Sequence, residues 1–216
     1  MQVHYLSQNN SILNHFMAQI RDVEIQKDSM RYRRNIERIG EIMAYEISRH
    51  LEYKPNIVTT PLGTKEVPVL KEEVVICSIL RAGLAMHGGF LNFFDDAKSG
   101  FISAYRRHNN DGSFEIDTDY KAIPPIDGKN LIIVDPMLAT GLSLIAAFSK
   151  IMENHTPESI HIAVVLAAPE GIIYAQKHLP DNYHLWIASE DEKLNEHGYI
   201  IPGLGDAGDL AYGARL

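Results

Sequence analysis

The sequence predicts an α/β fold, a mostly parallel sheet of about five strands flanked by helices. Three observations carry that expectation. Leu131-Ile132-Ile133-Val134 is an apolar, largely β-branched run ending on Asp135, the pattern of a strand buried on both faces with an acid at its carboxyl edge. Comparable runs span residues 74 to 79 and 160 to 167, and helix formers follow them. Upstream, Tyr32, Ile36, Ile39, Met43, Ile47 and Leu51 recur at spacings of three and four, one apolar stripe on a core-facing helix.

The bulk numbers agree. A chain of 216 residues suits one well-packed α/β domain, and 45% hydrophobic with 22% charged residues is a globular composition. A formal net charge of -8 argues against a protein that coats nucleic acid. The single cysteine, Cys77, rules out an internal disulfide framework and suits a reducing compartment. Within Val74-Val75-Ile76-Cys77 it reads as a buried structural thiol. The first residues lack a signal-peptide pattern and no run approaches membrane-spanning length, so a cytoplasmic protein is expected.

In chain order, a short helix is expected over residues 11 to 22 and a longer one from Asp28. The second opens on Ser29-Met30-Arg31-Tyr32-Arg33-Arg34, basic at the end where the helix dipole disfavours it, so those arginines read as a solvated face or as an anion contact. Residues 53 to 69 form two extended runs around Pro61-Leu62-Gly63, a peripheral hairpin or arm. The strand at 74 to 79 delivers Leu80-Arg81-Ala82-Gly83-Leu84 to the same sheet edge as Asp135, with a helix over 86 to 94 after it. A strand over 101 to 105 ends at Arg106-Arg107. Residues 107 to 128 follow as a long polar segment with a turn signal at Asn109-Asn110-Asp111-Gly112. After the strand at 160 to 167, in which His161 reads as a core histidine, a helix over 172 to 178 and a strand over 183 to 188 complete the core. No His-Glu-x-x-His spacing occurs among the ten histidines.

Chemistry concentrates in two stretches. After Asp135, the loop Pro136-Met137-Leu138-Ala139-Thr140-Gly141-Leu142-Ser143 runs into a helix-forming segment, and a hydroxyl-rich turn at a helix amino end is a phosphate cradle. An acid one loop away from a phosphate suits a sugar phosphate. The plain alternative is an ordinary βα unit in which Asp135 caps a turn and Thr140 caps a helix. The second stretch is the tail, where five glycines fall within residues 198 to 213, too many for a helix or regular strand. Tyr199, Ile200, Ile201 and Leu204 can dock it, and docked glycine-rich backbone offers N–H and C=O groups to the polar edge of a base.

Val134-Asp135-Pro136-Met137-Leu138-Ala139-Thr140-Gly141 resembles the phosphoribosyl-diphosphate signature of type I phosphoribosyltransferases, in the form used by the uracil phosphoribosyltransferases. Leu80-Arg81-Ala82-Gly83-Leu84, Ala104-Tyr105-Arg106 and the tail through Asp209 are similar to further segments of that family, with a weaker likeness at Ser29-Met30-Arg31-Tyr32-Arg33. Leu142 stands where the family usually has glycine and Leu210 where it often has a basic residue. Since Thr140, Gly141 and Ser143 are kept, Leu142 is expected at negative φ with its side chain turned from the phosphate.

The resemblance implies a single phosphoribosyltransferase domain over 1–216. Helices and an arm make up about 1–70, a core about 71–190 and a uracil-binding hood about 191–216, and a flexible flap covers the site. It implies transfer of phosphoribose from 5-phosphoribosyl 1-diphosphate to uracil, giving UMP and diphosphate, with Mg2+ carried by substrate oxygens and water near Asp206 and no direct protein ligands. Asp135, Arg106 and Asp206 would be the catalytic residues. Arg81, Arg106, Asp135, Pro136, Met137, Leu138, Ala139, Thr140, Gly141, Leu142, Ser143 and Asp206 would bind phosphoribosyl diphosphate, and Ile200, Gly205, Asp206 and Ala207 would bind uracil. Partners implied are a homo-oligomer, dimer or higher, and GTP as allosteric activator, with neither nucleic acid nor membrane. The residues themselves decide neither oligomeric state nor activation. The competing reading is a nucleotide-sensing RNA-binding regulator on the same fold, with catalysis lost or secondary.

Overall fold

The computed structural model describes residues 2–108 and 114–214, with backbone alone at 105–108 and 114–116. Five parallel strands form the centre of its main sheet: β4 (Val74–Leu80), β5 (Lys98–Ser103), β9 (Asn130–Val134), β11 (Ser159–Ala167) and β12 (Tyr183–Glu190), in the spatial order β12-β11-β9-β4-β5. β1 (Gln2–Tyr5) adds a parallel edge beside β12, β8 (Lys121–Ala122) an antiparallel edge beside β5, and β10 (Met137–Leu138) pairs with the end of β11, making eight strands. The three additions have four residues or fewer, below the length at which apolar alternation separates a strand from a loop.

Every residue of β9 is buried, as expected of a strand covered on both faces. On one face, Ile76, Ile132 and Val134 pack with α1 (Leu13–Arg21), α2 (Ser29–Ser48) and α3 (Gly83–Leu91). On the other, Val75, Cys77, Leu131 and Ile133 pack with α4 (Leu142–Ile151) and α5 (Pro169–His178). The stripe of α2 is buried throughout, and the Asp28 carboxylate caps the helix by accepting the Arg31 N–H at 3.0 Å. Cys77 is fully buried, which pushes its thiol up to about 12 and leaves it inert.

Several boundaries differ from the expectation. α3 begins at Gly83 and ends at Leu91, because the loop after β4 turns directly into the helix. β5 runs from Lys98 to Ser103, in register with Val75 to Leu80, and stops short of Ala104. The chain then forms an antiparallel pair, β6 (Tyr105–His108) with β7 (Phe114–Asp117), where a long loop was expected. The turn signal over 109–112 lies outside the described residues. The arm is present as the hairpin of β2 (Tyr53–Thr60) and β3 (Gly63–Leu70), mostly exposed.

His161 is fully buried and its Nδ1 accepts from Trp186 Nε1 at 3.1 Å. Burial lowers its pKa to about 3, so it is a neutral core imidazole. No helix among the described residues is long and apolar enough to cross a membrane.

The strand order locates the functional edge. The chain leaves β4 for β5 on one side and returns as β9 on the other, so β4 and β9 flank the point where winding reverses. Loops at their carboxyl ends diverge there and leave a crevice. Ser78 pairs with Val134, which brings Arg81 and Asp135 to neighbouring positions on that edge.

Candidate functional site

A cavity of about 720 Å³ opens on this crevice, and three segments make up most of its wall, with Ala104 after β5 added from a fourth. The loop after β4 brings Leu80, Arg81 and Ala82, and the loop after β9 brings Asp135, Met137 through Gly141, and Ser143. The carboxyl-terminal segment brings His197 through Ile200 and Gly205 through Gly208. Residues distant in sequence thus meet where topology alone places a ligand.

Asp135 faces the cavity and is half-buried, with its N–H donated to the Ala163 carbonyl of β11 at 3.1 Å. Burial pushes its carboxyl up to about 7, and the Met137 N–H, donated to Oδ1 at 3.2 Å, only partly opposes that shift. The loop beyond it is stapled to β11. The Pro136 carbonyl accepts the Val165 and Leu166 N–H groups at 3.0 and 2.8 Å, and the Leu138 carbonyl accepts that of Ala168 at 2.9 Å. Gly141, at φ +82°, then turns the chain into α4, and a Cβ there would lie 3.0 Å from the Tyr174 ring. Thr140 Oγ1 accepts the Leu142 N–H at 3.4 Å, a weak contact. Asp135 and Thr140 therefore do cap the local turn, and they line the cavity as well.

Leu142 has negative φ within α4, and the one non-glycine at positive φ among the described residues is Asn154. Leu142 and Pro136 are absent from the cavity wall, whereas the other expected residues from Asp135 to Ser143 line it. Arg106 is on β6, and its side chain lies outside the description.

The carboxyl-terminal segment folds back as a small lid of backbone. β13 (Lys193–Leu194) pairs antiparallel with β14 (Ile200–Ile201), and α6 (Ala207–Tyr212) follows. A helix was not expected among so many glycines. It forms because Asp206 caps it, accepting the Asp209 N–H at 2.8 Å on Oδ1. Ile200, Gly205, Asp206 and Ala207 all line the cavity.

Arginines from three distant elements hold this lid. Arg81 donates to Asp209 Oδ1 at 2.7 Å and to the Gly213 carbonyl at 3.1 Å, so the guanidinium expected to face an anion bridges to α6. Arg33 donates to the Ala211 carbonyl at 2.6 Å, which is neither a solvated face nor an anion contact. Arg21 grips Asp191 and Gly203 at the root of the lid. Sequence reasoning missed Arg21, Asp191 and the lining residue His197, and it read Tyr199 as a docking residue where the side chain is half exposed and lines the cavity. An acid directly after a core strand, as Asp135 is, was the available signal for Asp191.

The family model described as Uracil phosphoribosyltransferase matches residues 7–214. A curated protein of that name from Porphyromonas gingivalis is 49% identical over 216 residues, 100% of both chains. Another from Legionella pneumophila is 39% identical over 210 residues, 96% of this chain and 95% of the relative. A solved structure of an Aquifex aeolicus protein is similar at a TM-score of 0.87 and 31% identity, covering 100% of both chains.

Proposed function

We propose, from the premise that the chain belongs to the uracil phosphoribosyltransferase family, that its cavity transfers phosphoribose from 5-phosphoribosyl 1-diphosphate to N1 of uracil, giving UMP and diphosphate. The observation that carries the reading is the meeting, in one cavity, of a half-buried acid, a helix start preceded by a hydroxyl-rich turn and a backbone-walled lid. Each matches one part of the substrate pair. The 5′-phosphate takes the turn from Ala139 to Ser143, where α4 directs backbone N–H groups and its dipole outward. The ribose hydroxyls take Asp135, and uracil takes the backbone at Ile200 and at Gly205 to Ala207.

As the bond from C1 to the diphosphate oxygen breaks and the bond to uracil N1 forms, the N1 proton is given up and the ribose becomes oxocarbenium-like. Catalysis therefore requires positioning and charge stabilisation more than a strong nucleophile. Ionised Asp135 would lie against that developing positive charge, and Arg81 and Arg106 are the arginines assigned to the departing diphosphate. Arg81 would exchange its hold on Asp209 for the incoming anion.

Among the described residues no cluster of three or more His, Cys, Asp or Glu side chains could cage a metal. The carboxylates of Asp135 and Asp206 and the hydroxyls of Thr140 and Ser143 fit an oxygen-seeking ion carried mainly by substrate and water. Magnesium bound in that way neutralises diphosphate charge, and Asp206 would be the residue that holds it. Assembly of copies belongs to the same reading, since the β2–β3 hairpin exposes Ile57, Leu62 and Val67.

Initial rates of nucleotide formation from labelled bases test the proposal. Uracil should exceed cytosine in kcat/KM by about 10⁴-fold or more, because fixed backbone groups cannot exchange donor for acceptor. Comparable values for the two bases would defeat the assignment of the lid.

A further inference from the structure

We infer that Arg21, which lies outside the cavity wall, is a positioning residue for uracil, acting through Asp191 and Gly203 on the backbone that reads the base. The inference rests on the proposed function and assigns part of its specificity to the far side of the lid.

The contacts form a closed clamp. Arg21 Nη2 donates to Asp191 Oδ1 at 2.5 Å and to Ser189 Oγ at 3.2 Å. Nη1 donates to Asp191 Oδ2 at 2.8 Å and to the Gly203 carbonyl at 3.0 Å. Asp191 Oδ2 also accepts the Gly203 N–H at 2.8 Å, so one ion pair holds both polar groups of that peptide unit's residue. The Asp191 side chain is 5% exposed and that of Arg21 24%, which keeps the pair largely out of water. A two-pronged, desolvated guanidinium–carboxylate pair fixes direction as well as distance.

Anchorage at the other end is equally firm. The Asp191 N–H donates to the Ala167 carbonyl at 2.9 Å, so the acid is tied to the end of β11 at the edge where ligands bind. The Glu192 N–H donates to the Ile201 carbonyl at 3.0 Å. Residues 191 and 203 are therefore locked together, and the loop between them carries Tyr199 and Ile200 into the cavity.

Gly203 transmits this hold to the reading groups. It adopts φ +61°, and a Cβ built on it would lie 2.2 Å from the Ile200 carbonyl oxygen. The chain is folded so tightly here that Gly203 cannot shift without moving Ile200, and Gly205 begins two residues later. Loss of the clamp would thus blur the spacing between Ile200 and the segment from Gly205 to Ala207. The phosphate turn, stapled separately to β11, would stay as it is, and Asp206 would keep its place through α6, which Arg81 and Arg33 hold without Arg21.

The test compares wild type with Arg21→Met and Arg21→Lys by initial rates against each substrate, with thermal melts alongside. Arg21→Met should raise KM for uracil at least tenfold and narrow the preference over cytosine, while KM for phosphoribosyl diphosphate stays within twofold. Arg21→Lys keeps the charge but loses the fork, and should fall between the two. Should Arg21→Met fail to fold, Arg21→Lys decides by the same split. An unchanged KM for uracil, or parallel rises in both KM values, would overturn the inference and leave the enzyme reading intact. A wild-type protein that makes no UMP from uracil would instead remove the reading and the inference with it.

Discussion

The phosphate side and the base side of the cavity are built in opposite ways. Residues 135 to 143 are one contiguous strand-to-helix connection, pinned to the next strand, β11, through backbone groups. The lid from 191 to 213 is held by side chains from far away: Arg21 is 170 residues from Asp191, Arg33 is 178 from Ala211, and Arg81 is 128 from Asp209. A locally stapled loop keeps its shape when a distant element loosens. A lid assembled across the whole chain depends on every anchor, so substitutions on the two sides should separate phosphoribosyl-diphosphate binding from base selection.

The largest effect is expected at Asp135, where chemistry and stability pull apart. Asp135→Asn should lower kcat by about 30- to 1000-fold, the roughly 2 to 4 kcal/mol typical of one lost transition-state contact, with a smaller change in phosphoribosyl-diphosphate affinity. Its stability should move the other way. Below about pH 4 the acid is protonated in folded and unfolded chains alike; from there to about pH 7 the unfolded chain releases the proton and the folded chain keeps it. The Asp135 contribution to wild-type stability therefore falls as pH rises through that window, by an amount on the order of 2 to 4 kcal/mol, and levels off above it. Asp135→Asn removes the penalty, so it should melt higher than wild type at pH 8, with the gap closing toward pH 4. A gap that does not vary with pH would show that the Asp135 carboxyl is not held up by burial.

A pair of glycine substitutions sharpens the contrast between the sides. Both Gly141 and Gly203 occupy positive φ, where a side chain costs about 1 to 2 kcal/mol. Their surroundings differ. Gly141→Ala meets the Tyr174 ring at 3.0 Å and the Gly171 carbonyl at 3.3 Å, a milder crowding, and should raise KM for phosphoribosyl diphosphate about tenfold while sparing uracil. Gly203→Ala meets the Ile200 carbonyl, part of the backbone that reads the base, and should raise KM for uracil by more than about tenfold. Crossed results, with Gly203→Ala acting on phosphoribosyl diphosphate alone, would break the division proposed here.

The same contrast explains what could be read in advance. Asp135, Thr140, Gly141 and Ser143 are legible because strand, turn and helix signals follow one another along the chain, and local physics suffices to place them. The burial of β9 and the stripe of α2 were legible for the same reason. Arg21 carries no such signal, being an ordinary basic residue in the last turn of α1. Its partner lies 170 residues away, and nothing in periodicity or spacing reports a contact of that range. α6 was hidden differently: Gly208 argued against a helix, and the Asp206 cap that overcomes it becomes visible once Asp206-Ala207-Gly208-Asp209 is taken as a capped start.

The smallest effect is expected at Leu142, the departure from the family pattern inside the phosphate turn. A glycine in such a turn serves either to reach positive φ or to let the anion approach. Gly141 already supplies the left-handed residue, and Leu142 follows it as the first residue of α4 with its side chain away from the cavity wall. Leu142→Gly should then leave kcat/KM within about tenfold, roughly 1.4 kcal/mol, and lower stability by about 0.5 to 1 kcal/mol through the looser first turn of the helix. Rate and melting measurements on the one variant check both. A gain in kcat/KM of a hundredfold or more would mean that leucine distorts the turn after all, and that the phosphate side is less self-contained than its backbone staples imply.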